Sequence, residues 1–284
     1  MTTLYGRTYD LRIGQPGETG RRWEGRGNDA TPGREGLQIT FEVERKANRK
    51  ANKLRLTMVN LSTDSVGFIE QSGNVITLSA GYEQNNGLIF EGQIARRGVT
   101  TTFEGTDRIT SIEAGGSELE LASTRFARSF AAGTPRRTVI SAIIEAMALG
   151  AGNLDDVDGL DLTYSTGYTF AGRARAALDE AVNQLGEGFS WSVQDGQVFI
   201  LDRDQTTAEE AVLLTAGTGL VGAPQRQKNG LELVSLLRPE IKPGRLVKVQ
   251  SRGIDGFYKC TQVTQRGDFR GNDWYTNING RQIQ

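Results

Sequence analysis

The chain of 284 residues contains no histidine. That absence removes the imidazole general base, the Ser-His-Asp and Cys-His nucleophile systems and nearly all catalytic zinc sites. Any chemistry here falls to carboxylates, Lys or Tyr. A single cysteine, Cys260, excludes an intrachain disulfide. It lies in a strand-like run and reads as a small buried residue rather than a nucleophile. Charge of one sign is also lacking: 33 Lys and Arg against 34 Asp and Glu leave a formal −1. Such a balance carries no bulk attraction to nucleic acid or an anionic bilayer. No stretch approaches the roughly 20 apolar residues of a membrane span. The opening Met1-Thr2-Thr3-Leu4-Tyr5-Gly6 lacks the basic-then-apolar order of a signal peptide. The expectation is a chain used in a cytoplasm, or assembled there into something larger. Proline is scarce, with 6 residues, while glycine is plentiful, with 36. Much Gly with little Pro suits turn-rich β structure better than a disordered chain. The length allows one large or two to three small domains with ample core.

What is present is mostly strand signal. Leu4 to Ile13 reads as a first strand. Gly14 to Gly36 carries many breakers and no period. A loop that long inside a compact domain tends to be functional or disordered. It reads as an arm ordering against a neighbouring chain through Trp23, or as a loose surface loop. Leu37, Ile39, Phe41 and Val43 alternate with polar residues, the mark of a half-buried strand. Leu54, Leu56 and Met58 repeat the pattern. Ser65 to Gln71 predicts a helical turn, and Val75 to Ala80 a strand with Ile76, Leu78 and Ala80 inward. Asn85-Asn86-Gly87 predicts a hairpin turn returning through Leu88 to Ile94. Ile109 to Ala114 and Glu118 to Leu121 complete this set.

Composition shifts at Gly133. Thr134 as N-cap and Pro135 at the first helical position predict a helix bearing Val139, Ile140, Ile143, Ile144 and Met147, ended by Gly150. A second helix is predicted over Ala171 to Leu185, with Ala174, Leu178, Ala181 and Val182 on its apolar face. Phe189 to Val193 and Gln197 to Leu201 flank Asp195-Gly196, a favoured hairpin turn. Strands then follow at Leu231–Leu237, Leu246–Val249, Phe257–Thr264 and Trp274-Tyr275, with Pro243-Gly244 and Gly267-Asp268 as turns.

Four motifs invite a chemical reading, and each has a plain alternative. Gly217-Thr218-Gly219-Leu220-Val221-Gly222 spells G-x-G-x-x-G, but no apolar helical period follows, so it reads as a loop and not a dinucleotide site. Asp155, Asp156, Asp158 and Asp161 supply hard oxygens for calcium. The EF-hand register fails, because Leu154 falls at the first ligand position and Ser165 at the twelfth, so a solvated loop is expected. The basic run Arg45 to Arg55 offers contacts to phosphate but no interleaved aromatics for bases; a solvated loop or a salt-bridged interface fits better. Carboxylates such as Glu180 and Glu187 are plentiful, yet no spacing singles out a glycosidase pair.

Two sets of motifs resemble phage tail and baseplate hub proteins, the gp27-like group of contractile tails and related injection devices. One set runs from Asn52 to Ser62 with Leu54 and Leu56, through Leu78-Ser79-Ala80-Gly81-Tyr82, to Ile89-Phe90-Glu91-Gly92-Gln93-Ile94. The other comprises Gly219 to Pro224, Leu236-Leu237-Arg238-Pro239 with Pro243-Gly244, and Gly267-Asp268 leading to Asp273-Trp274. The fold class expected is mainly β with an α+β insert: two small antiparallel β-barrel, tube-like domains plus a helix-containing domain. The boundaries expected are 1–125 for the N-terminal barrel with its 14–36 loop, 126–188 for the insert and 189–284 for the C-terminal barrel. The segments 37–121 and 189–277 are each expected to build a barrel. The resemblance implies a structural virion protein at the distal end of a tail. It would form a homotrimer whose six barrels join a six-fold tail tube to a three-fold central spike. Implied partners are the tube protein, the spike protein, other baseplate proteins and the tape measure protein, with DNA only passing through the lumen. No catalytic, cofactor-binding or metal residue is expected, and so no enzyme. The alternatives are a carboxylate-dependent peptidoglycan hydrolase of the tail tip, or a DNA-contacting protein using residues 45–55.

Overall fold

The computed structural model describes residues 6–27, 36–48, 52–116, 124–207, 210–228 and 230–283. The expected strand Glu118–Leu121 lies outside them, as do Leu4 and Tyr5. The first third is a set of antiparallel strands: β1 (Arg7–Gly14), β2 (Arg21–Arg26), β3 (Ile39–Lys46), β4 (Lys53–Val59), β5 (Val75–Tyr82), β6 (Asn85–Glu104) and β7 (Asp107–Gly115). A short helix α1 (Thr63–Ile69) sits between β4 and β5, its first turn capped by the Ser62 side chain on the Ser65 amide. The pleat sets burial directly. Ile39, Phe41 and Val43 of β3 and Leu54, Leu56 and Met58 of β4 are buried, as are Ile76, Leu78 and Ala80 of β5.

The Gly14–Gly36 stretch differs from its expectation. Residues 21–26 form β2, paired antiparallel to β1 from Thr8↔Arg26 to Ile13↔Arg21. Trp23 is half-buried against this chain's own core. The strand went unseen because its inward positions hold Arg21, Trp23 and Gly25, which do not score as an apolar alternation.

The middle unit contains β8 (Arg125–Phe130), α2 (Arg136–Ala146), β9 (Gly150–Ala151), β10 (Tyr168–Arg173), α3 (Ala174–Asn183), β11 (Ser190–Gln194) and β12 (Gln197–Leu201). Helix α2 buries Val139, Ile140, Ile143 and Ile144, and α3 buries Ala174, Leu178, Ala181 and Val182, on the faces the 3.6-residue period predicts. The N-cap of α2 is Pro135, not Thr134, whose hydroxyl instead donates to the Ala131 carbonyl. Residues 171–173 are strand, not helix, because β10 finds a full antiparallel partner in β8. The hairpin β11–β12, expected at the head of the C-terminal barrel, packs elsewhere. Its Trp191, Val193, Val198 and Ile200 join the helices in one core.

The last third adds β13 (Val212–Leu214), β14 (Leu220–Gln227), β15 (Gly230–Leu236), β16 (Leu246–Ser251), β17 (Ile254–Asp268) and β18 (Trp274–Gln282). These strands and the first seven form one continuous 13-stranded sheet. Its order is β14-β15-β18-β17-β3-β4-β7-β6-β5-β1-β2, with β16 beside β17 and β13 beside β16. The joint is β17. Its first half pairs with β16, and its second half pairs with β3 from Gln262↔Lys46 to Asp268↔Thr40. The sheet wraps two separate cores, one around Trp274 and Phe41, the other around Val247, Cys260 and Ile278. The fold is mainly β with a helical insert.

Candidate assembly interface

The first core closes with residues from far along the chain. The Trp274 indole N–H donates to the Gly81 carbonyl, and its ring meets Phe41 edge-on at 5.3 Å. Phe269 stands edge-on to Tyr9 at 4.8 Å. Arg7 of β1 donates to the carbonyls of Asp268, Gly271 and Asn272 in the β17–β18 turn. Strand β1, next to the β2 edge, is thus fastened to the β17–β18 turn by a side chain, without a backbone ladder. Burial of the Tyr9 phenol raises its pKa to about 12, and its hydroxyl donates to the Leu37 carbonyl.

A second fastening joins all three units. The period of two that buries Ile39, Phe41 and Val43 carries Arg45 inward as well, leaving it 1% exposed. Its Nη2 donates to Asp195 Oδ1 at 2.8 Å, and Lys242 Nζ meets the other oxygen at 2.8 Å. Arg45 belongs to β3, Asp195 to the insert hairpin turn and Lys242 to the last third. Burial lowers the Arg45 pKa and Asp195 opposes that shift. Arg45 Nε and Nη1 have no hydrogen-bond partner. Asp195 adopts φ +51°, a conformation Asp tolerates better than most residues. Asn52 donates to the Val193 carbonyl and Gln194 to the Lys46 carbonyl beside it.

The basic run therefore behaves as a salt-bridged joint. Arg45 is buried, Lys46 pairs with Glu44, and Arg55 pairs with Glu42 at 3.4 Å. Residues 49–51 lie outside the described set. Continuing the β3 alternation two residues further would have flagged Arg45, but its partner 150 positions away carries no local signal.

The motifs with chemical readings resolve as follows. Residues 216–218 form a single 3-10 turn capped by Thr215. Gly219 is left-handed at φ 101°, and Leu220 opens β14, so no helix N-terminus faces the glycines. Asp155 and Asp161 pair with Arg137, and among the described residues no acidic or cysteine cluster has metal-binding geometry. Cys260 is fully buried, which pushes its thiol up to about 12. Glu180 and Glu187 are both exposed. The carboxyls that shift do so downward, the reverse of what a general acid needs. Burial works to raise the Asp10 pKa, but hydrogen bonds from Arg12 and Arg22 outweigh it. Glu44 is lowered chiefly by its hydrogen bond from Lys46.

What remains on the surface is suited to contact. Strands β2 and β14 end the sheet path, and β14 is exposed along most of its length. An unpaired edge is a template for another strand. The β6–β7 hairpin, turning at Gly105-Thr106, runs past the end of β4, whose last pair is Val59↔Ile109. Its tip presents Phe103 at 67% exposure, with the Arg108 guanidinium 5.6 Å from the ring. The sequence reading ended this strand at Ile94. The β-branched run Val99 to Thr102 was the signal for the rest. A bulge between Ile94 and Val99, with Arg97 at φ 64°, breaks the alternation between them.

This architecture is similar in fold to solved prophage tail proteins. The tail protein of prophage MuSo2 from Shewanella oneidensis superposes with a TM-score of 0.62 at 11% identity, over 96% of each chain. A tail protein from Neisseria meningitidis gives 0.62 at 11% identity, covering 98% of this chain and 97% of that one. The Escherichia coli c3393 protein, a type VI secretion component described as structurally similar to T4 gp27 and gp5, gives 0.55 at 13% identity. There the match covers 87% of this chain and 74% of the other. No protein-family model matches the chain, and no curated protein matches it in sequence. Among the described residues no helix is long and apolar enough to cross a membrane.

Proposed function

We propose that this chain is a structural virion protein, the hub at the distal end of a phage tail or tail-like injection device. Three copies form a ring in which two sheet-built units per chain imitate six-fold symmetry, joining the tail tube above to a three-fold spike below. The reading rests on one observation: near-complete, two-way coverage of prophage tail proteins by a fold with two cores in one sheet. Closing strands into a ring also covers free edges such as β2 and β14 with neighbours. The partners are the tube, spike, other baseplate and tape measure proteins, with assembly in the host cytoplasm and DNA passing only through the lumen. The role is non-enzymatic. The native mass of the purified chain, alone and mixed with its spike protein, tests this. Three copies per particle are expected, and a monomer at every concentration and with the spike would overturn it.

A further inference from the structure

The outer end of the C-terminal sheet carries a cavity of about 640 Å³ with a strongly one-sided charge. Arg203, Arg226, Lys228 and Arg281 line it, together with Tyr258, and no carboxylate does. Arg281 pairs with Asp204 at 3.1 Å, and Arg226 donates to the Gly253 carbonyl. Among the described residues no carboxylate pairs with Arg203, Arg226 or Lys228. Beneath the cup, Lys259 is 6% exposed, and its ammonium donates to the carbonyls of Asp202 and Arg203. Burial lowers its pKa to about 8, and the charge of Arg281 pushes the same way. Asp202 and Asp204 offset part of this charge, while Arg203, Arg226 and Lys228 face solvent.

The opposite charge stands on the insert. Asp155, Asp156, Asp158 and Asp161 are all exposed, with Asp155 at 101% and Asp161 at 91% by side chain. Arg137 answers the first and the last; among the described residues no cation pairs with Asp156 or Asp158. Leu162 follows directly at 59% exposure. The two clusters make no ion pair with each other inside one chain.

We infer that the basic cup of Arg203, Arg226, Lys228 and Arg281 receives the acidic 155–161 loop of a second copy of this chain, with Leu162 as the apolar contact beside it. This rests on the ring reading above and specifies how neighbours meet. A contact between two different patches is head-to-tail, the kind that propagates around a ring. The chain is near neutral, so its copies have no net charge to hold them apart and only local charge to orient them. Cup against cup, or loop against loop, places like charges together, which selects the cup-to-loop arrangement. Rim charges of this kind set orientation and encounter rate, and salt weakens them.

Native mass and sedimentation of the full chain test the pairing. Arg226→Glu with Lys228→Glu, and separately Asp156→Lys with Asp158→Lys, are each expected to raise the apparent dissociation constant at least about tenfold. All four substitutions in one chain exchange the charges at 226 and 228 with those at 156 and 158 and are expected to restore the wild-type mass, which misfolded variants would not do. A wild-type oligomer that survives both double substitutions unchanged overturns this pairing and leaves the ring intact. A wild type that is always monomeric overturns the ring reading and the pairing with it. If Arg226→Glu with Lys228→Glu abolishes binding of a short single-stranded oligonucleotide while the oligomer persists, the cup is a nucleic-acid site and the pairing is likewise overturned.

Discussion

The core around Trp274 and the core of the insert are built in opposite ways. Every buried residue of the insert core falls between Phe126 and Ile200, and its parts are neighbours in the chain. The N-terminal core is incomplete without Leu237, Phe269 and Trp274, which come from the other end of the molecule. The insert is thus a local module that forms once its own hairpin and helices collapse. The N-terminal core waits for β17 to pair with β3 and for the Trp274 indole to reach the Gly81 carbonyl. The difference teaches that sequence distance, not burial, decides which parts of this fold are separable. Contacts across long loops also form late and slowly.

Substitutions sharpen that comparison, and the largest effect is expected at the long-range contact. Trp274→Ala removes an indole that fills the first core and takes away its hydrogen bond to the Gly81 carbonyl. Both ends of the chain should lose protection together, at a cost of about 3–5 kcal/mol in denaturant unfolding. If only the last third loosened, the cores would be independent and the comparison would fail. Ile143→Ala, inside the insert, should cost about 2–4 kcal/mol and loosen only residues 126–200 in hydrogen exchange. Asp195→Asn keeps the left-handed turn but removes the counter-charge that Arg45 and Lys242 share. A loss of about 1–3 kcal/mol is expected, with exchange rising at β11–β12 and at the end of β3.

The pH dependence tests the far end of the C-terminal sheet. Lys259 has a folded pKa of about 8, below its unfolded value of 10.5. Between these values the unfolded chain holds the extra proton, so stability rises with pH across that window. Lys259→Met should flatten the rise, which thermal melts at pH 8 and pH 10 would detect. The smallest effect belongs to Phe103→Ser at the hairpin tip. Stability should stay within about 0.5 kcal/mol of wild type, because the ring is already exposed to solvent.

Much of this was legible where period and burial agree. The inward faces of β3, β4, β5, α2 and α3 follow their two- and 3.6-residue patterns, and Asp195-Gly196 makes the turn its chemistry favours. Strand β2 was not legible, since an arginine, a tryptophan and a glycine occupy its inward side. The start of α3 falls three residues later than its apolar period predicts: Gly172 disfavours helix, and pairing with β8 makes Ala171 to Arg173 strand. Arg45 illustrates both halves of the problem. Its inward direction follows from the pleat, while the carboxylate that makes its burial tolerable lies on a hairpin no local rule connects to it.

Alone, then, the order of residues determined the strand-rich class, the two helices and their buried faces, and the absence of imidazole chemistry. These depend on neighbours a few positions apart, whose geometry the backbone dictates. Tertiary structure decided that β17 serves two cores, that the β11–β12 hairpin belongs with the helices, and that Arg45, Asp195 and Lys242 meet. Those outcomes depend on which apolar faces and charges compete for the same partners once the chain has collapsed, and that competition is settled only in three dimensions.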